Sequence, residues 1–263
     1  MILLYKSWME TRIRLAFGLA ALLALCLSTI WAYPQERHTV ALDKGLLIFL
    51  PFAKKSLESV GAGYHSFVWV RWNGFNQLIF LPMLAMTIAS AGIVPHGACL
   101  RDRGRIEASA SAFILSLPVR RRTLLLSRGA IGLLAVAALT FVPQFMMVAL
   151  APLVSGSYSF QDALAYGAIA FTALLIPYAL GLVVSSLIDD DMTNRLSDIF
   201  LLIAMLIAER AIDPALPFAY FRFLSGEAYF TRHEILWTGM AACTVIAAAI
   251  TWIAIRIDRK SVV

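Results

Sequence analysis

Six stretches of the chain stay apolar over about the length of a membrane crossing: residues 15–33, 75–94, 130–154, 164–188, 196–212 and 235–255, each flanked by polar or charged residues. A helix needs about 20 predominantly apolar residues to cross the hydrocarbon of a bilayer, so each stretch predicts a transmembrane helix. The fifth is the weakest, because its uninterrupted core runs only from Ile199 to Ala208 before Glu209, Arg210 and Asp213 arrive. At about 1.5 Å per residue, such a core covers about half of the hydrocarbon. Its end has two alternatives. Either Arg210 and Asp213 pair within the helix at membrane depth, or the span stops near Glu209 and residues 215–224 dip back into the outer leaflet.

Ahead of the first span, Ile2, Leu3, Leu4, Tyr5, Trp8 and Met9 mingle with Lys6, Glu10 and Arg12, which predicts a short helix lying in the membrane interface. The first span itself is longer than a signal-peptide core and is followed by Trp-Ala-Tyr before Pro34 rather than a small-x-small site. It is therefore a retained helix. The long outer connection, residues 34–74, contains the apolar run Gly45 to Phe52, too short to span and suited to lying on the membrane or over the bundle. The expected fold is all-α: one polytopic membrane domain over residues 1–263, six transmembrane helices and no separate soluble domain.

Composition agrees with that pattern. Hydrophobic residues make up 60% of the 263 residues and charged residues 14%, against about 45–50% and about 25% in soluble domains, and the mean hydropathy is +0.79. The net charge of +6 does not call for nucleic acid, because the cations sit in the short segments between apolar runs. With the termini inside, most of them fall on the inner side: Lys6, Arg12 and Arg14, the group from Arg101 to Arg128, Arg195, and Arg256, Arg259 and Lys260. By the positive-inside rule both termini are cytoplasmic.

Few residues offer covalent chemistry. Cys26, Cys99 and Cys243 are far apart, with no CxxC pair, and Cys26 and Cys243 lie in apolar runs as packing residues. The four histidines fall in or beside polar connections, so no intramembrane protease constellation is present and no enzyme activity is expected. The run Asp189–Asp191, with Asp198 nearby, is better suited to a solvated helix start than to a metal, because one helix cannot aim consecutive residues at one ion. Pro82, Pro143 and Pro177 are candidate kinks, and Gln144 lies deep enough to need an interhelical partner. Asn76 and Gln77, at the outer end of the second span, either line a translocation path or are solvated amides; with Glu209 and Arg210 they are the candidates for a path or outer gate.

The inner segment after the second span is the most informative. Ile106, Ala110, Phe113, Ile114 and Leu117 recur at spacings of three and four, with Glu107, Ser109, Ser111 and Ser116 largely off the stripe, which predicts an amphipathic cytoplasmic helix ended by Pro118. Arg120, Arg121 and Arg122 follow, then a leucine-rich approach to the third span. Ser116-Leu117-Pro118-Val119 and Arg121 in this position, with Glu107 upstream, resemble the type-2 ABC transporter permease family, whose members carry an acidic residue, a short apolar helix and Ser-Leu-Pro-Val-Ser-Arg. Ser109 and Ala110 stand where that family has Gly-Thr, and Arg120 where a small polar residue is usual.

The resemblance implies a coupling helix on the cytoplasmic side, with Glu107, Phe113, Leu117, Pro118 and Arg121 facing a separate ATP-binding cassette subunit. It also implies short external or re-entrant helices between the last two spans, a second permease copy or related permease, and a place in the bacterial inner membrane among its lipids. No cofactor is expected in this chain, since it has no Gly-x-x-x-x-Gly-Lys loop; ATP and magnesium would sit on the partner. The expected function is the permease of an ABC transporter, of the exporting kind that the family resemblance implies. An ATP-independent carrier or channel is the alternative, and it calls for charges deep in the bundle.

Overall fold

The first helix, α1 (Ile2–Glu36), is 35 residues long and continuous. No proline or glycine stands between Lys6 and Leu15, and the Thr11 hydroxyl returns to the Ser7 carbonyl at 2.9 Å, so nothing breaks the rod. The interfacial helix and first span expected as two pieces are thus one helix of about 52 Å.

The computed structural model describes residues 2–36, 68, 79–90, 121–154, 158–187, 191–211 and 219–260. All regular structure among the described residues is helical. After α1 come α2 (Leu81–Ser90), α3 (Arg121–Leu150) with a 3-10 turn at Ala151–Val154, α4 (Phe160–Leu187) and α5 (Asp191–Ala211). Two short helices, α6 (Tyr220–Leu224) and α7 (Glu227–Arg232), precede the last, α8 (Trp237–Lys260). Within these, Ser7–Tyr33, Gly129–Val154, Phe160–Leu187 and Trp237–Arg256 are long and apolar enough to cross a membrane. The protein is therefore a multi-pass, membrane-embedded helical protein. Helix α5 is 21 residues long but carries Asp191, Arg195, Asp198, Glu209 and Arg210.

The contacts fix the direction of each helix. Helices α3 and α4 run antiparallel: the Tyr178 hydroxyl donates to the Gly129 carbonyl at one end, and Phe145 stacks on Phe160 at the other, ring centroids 5.3 Å apart. Helix α2 runs alongside α4, and the two backbones nearly touch at Gly181, where a Cβ would lie 2.9 Å from the Met86 main chain. Small residues permit this approach, and close backbone packing is what holds helices together where lipid removes the hydrophobic drive between them. Arg14 of α1 donates to the Thr87 carbonyl at 2.9 Å, in the last turn of α2, where carbonyls lack helical partners. The end of the bundle carrying Arg14, Thr87 and Gly129 is the basal end; α5 starts there, and α8, packed along α4, returns to it.

Helix α4 is central. It packs against α2, α3, α5, α6 and α8, and half of its residues, from Ala163 to Ser185, are buried. A helix apolar all round suits that position. The outer helices instead turn large apolar side chains outward, among them Phe17, Trp31, Leu134, Phe200, Val245 and Trp252, as a lipid-facing surface requires. Cys26 and Cys243 are free and fully buried, in packing positions.

Candidate functional site

Proline 177 stands inside α4. It has no N–H to give to the carbonyl four residues back, that of Ala173, which is thereby left without its helical partner in a buried place. The Tyr220 hydroxyl, from the first residue of α6, donates to that carbonyl at 3.2 Å. The phenol occupies the place of the missing amide. Thr172, one residue earlier, turns its hydroxyl back to the carbonyls of Ala168 and Ile169.

Three further polar ties fix α6 and α7 against the rest. The first is Glu209, near the end of α5: its carboxylate accepts from the Phe221 amide, 2.9 Å from each oxygen, and from the Arg222 amide at 3.3 Å. These are N–H groups of the first turn of α6, which have no carbonyl partner within the helix, so the carboxylate satisfies them and meets the positive end of the peptide dipoles. At the other end of α6, the Tyr166 hydroxyl of α4 donates to the Leu224 carbonyl at 3.1 Å. Finally, the Tyr229 hydroxyl of α7 donates to Asp162 Oδ1 at 2.7 Å.

Asp162 is itself held. The Ser159 hydroxyl and the Ser159 amide both donate to Asp162 Oδ2, at 2.7 and 3.2 Å, and the Asp162 amide donates to Ser159 Oγ at 3.0 Å, a reciprocal cap at the start of α4. Burial first, and then the hydrogen bond to Asp162 and its charge, hold the Tyr229 phenol above its ordinary value, so it stays a donor. Between α6 and α7 the chain turns at Gly226, with φ of 70°. Glycine serves there twice: the left-handed backbone suits it, and a Cβ would lie 2.6 Å from the Tyr166 ring. Arg222 and Glu227 form an ion pair across the turn, and Tyr220, Phe221, Phe223, Leu224, Tyr229 and Phe230 are buried.

The two short helices thus lie along α4 from Ala173 up to Asp162, a distance of about 16 Å along its axis. They couple the end of α5 to the proline position of α4. Glu209 is in the site and acts through backbone amides. Arg210 lies one residue on, in the same helix, whose described part reaches Ala211; Asp213 lies outside the described residues. Arg121 is the first residue of α3. Glu107, Phe113, Leu117, Pro118, Asn76 and Gln77, together with Asp189, Cys99 and most of the connection 34–74, lie outside the described residues.

Gln144 finds its partner outside the helices: the buried Tyr158 hydroxyl, in the residues just ahead of α4, donates to its Oε1 at 3.0 Å. Sequence reasoning passed over Tyr220, Tyr166 and Tyr229. One signal for Tyr220 was available, namely that an interior proline such as Pro177 leaves a carbonyl in need of a donor. No protein-family model, characterised protein or solved structure matches this chain.

Proposed function

We propose that the chain is the membrane-spanning permease of an ABC transporter, a six-span subunit that forms the translocation path and takes its energy from ATP hydrolysed on a separate ATP-binding cassette subunit. In this proposal α2 is part of the second span and α5 is the fifth. The observation that carries it is the pair of short helices α6–α7 between α5 and α8, docked through Tyr220 on the proline position of α4 and through Glu209 on the end of α5. It fits the short helices that the family resemblance implies at that place. The basal end, where α1 begins and α8 ends, carries Arg14, Arg256 and the start of α3 with its arginines, which supports cytoplasmic termini in a bacterial inner membrane.

Transport then means alternation between inward-facing and outward-facing states that bind the substrate differently. The pair α6–α7 acts as the outer gate, because it ties two spans that must move relative to each other. Helix 106–117 is the coupling helix, with Phe113 and Leu117 turned to the ATPase and Glu107 and Arg121 orienting it. A second copy or a related permease completes the path. Phe113→Asp tests this: in lipid nanodiscs with its partner, the variant should remain folded while substrate no longer stimulates ATP hydrolysis. Unchanged coupling in that variant contradicts the assignment.

A carrier driven by an ion gradient is the second reading, and Asp198 favours it. This carboxylate is buried inside α5 and has no hydrogen-bond partner among the described residues.

A further inference from the structure

Among the described residues, Asp198 is the most deeply buried carboxylate, 1% exposed, and neither of its oxygens has a hydrogen-bond donor. One turn earlier on the same face of α5, Asn194 is 4% exposed and its Oδ1 is also unpartnered. Ser185, 8% exposed with an unpartnered Oγ, stands near the end of α4. The two helices pack together, with Ser185 two residues before the end of α4 and Asn194 in the first turn of α5.

Among the described residues, the buried Glu227 is answered by Arg222 and the partly buried Glu209 by the amides of α6. Asp198 is not. A charge shut away from water without a partner is strongly unfavourable, and neither the Ser185 hydroxyl nor the Asn194 amide donates to it in this structure. A bound cation would answer the carboxylate and use the open oxygens as ligands. Oxygen ligands from a carboxylate, an amide carbonyl and a hydroxyl suit a hard cation, and a single carboxylate balances a monovalent one. No group of three His, Cys, Asp or Glu that could hold a transition metal occurs among the described residues.

We propose that Asp198, Asn194 and Ser185 form a sodium site in the α4–α5 hairpin. The site is independent of the ATP-coupling proposal. It sits at the basal end of the same two helices that Tyr220 and Glu209 tie to α6, so occupancy sets how firmly α5 is held against α4 and reaches the gate through α5.

The test uses the full chain in lipid nanodiscs, with sodium chloride exchanged for choline chloride at constant ionic strength. Saturating sodium should raise Tm by about 5 °C. Asp198→Asn should abolish that response and, being neutral, should be at least as stable as the wild type in choline. Asn194→Ala should fold and require about tenfold more sodium, the effect of losing one ligand. Radioactive sodium should bind the wild type at about one ion per chain and be displaced by unlabelled sodium. A wild-type Tm that is the same in both salts, or that follows pH but not sodium, overturns the site, as does a sodium response that survives Asp198→Asn. If Asp198→Asn fails to fold, the binding measurement on the wild type decides: no saturable sodium overturns the proposal.

Discussion

The Tyr220 hydroxyl donates to the Ala173 carbonyl, the group that Pro177 leaves without its helical hydrogen bond. A proline inside a membrane helix is tolerated only where something else satisfies the freed backbone. Here that something comes from a different element, 47 residues later in the chain. The proline position of α4 and the docking of α6 are therefore one interaction, and the short helices cannot leave without exposing a buried, unsatisfied carbonyl.

Tyr220→Phe should destabilise the protein by about 1–3 kcal/mol, the cost of stranding a buried acceptor. In the background Pro177→Ala, which restores the amide to α4, the same substitution should cost much less. A double-mutant cycle on Tm measures the difference, and additive effects contradict the pairing.

Glu209→Ala removes the acceptor for the amides of α6. Hydrogen exchange should then accelerate over residues 219–232 while α3 and α4 keep their protection, because only the local opening becomes easier. Glu209→Gln, which keeps one acceptor oxygen, should fall between. Uniform acceleration across the chain would point to a global loss of stability instead.

Gly226→Ala introduces a side chain at φ of 70°, and its Cβ would meet the Tyr166 ring at 2.6 Å. The backbone term alone is about 1–2 kcal/mol. Displacing Tyr166 also breaks its bond to the Leu224 carbonyl, so the loss should exceed that of Tyr166→Phe, read as Tm in the same detergent.

Gly181→Val should separate α2 from α4, since the added atoms meet the Met86 backbone rather than a movable side chain. Overpacking of this kind costs about 1–3 kcal/mol, occasionally more. Cysteine cross-linking between α2 and α4 should fall in parallel with Tm. Full cross-linking in the variant would show that the contact is not as close as described.

Apolar run length was enough to locate α1, α3, α4 and α8, because a membrane crossing needs only length and hydropathy. For the fifth span the charges that follow Ala208 left two ends open, and the described part of α5 reaches Ala211. The join between the first eleven residues and the span was not, since interfacial and spanning segments share helical propensity and only the absence of a breaker tells that they continue. The polar ties of α6 and α7 were illegible for a different reason. Tyr220, Tyr166 and Tyr229 sit in apolar surroundings where periodicity treats a tyrosine as core, and their partners are distant carbonyls or an N-terminal cap. Asp198 was grouped with Asp189–Asp191 by proximity in sequence. Its burial, on the face of α5 that carries Asn194 and Leu202, is not visible in charge spacing.

The most direct test of the permease proposal is purification of the protein from native membranes in mild detergent, with mass spectrometry of the chains that accompany it and an ATPase assay after transfer to nanodiscs. A stoichiometric ATP-binding cassette subunit, with hydrolysis that depends on both chains, is the expected result. A chain that purifies alone and without ATPase activity, under conditions that keep a known ABC complex intact, would contradict the proposal and leave the ion-driven carrier in its place.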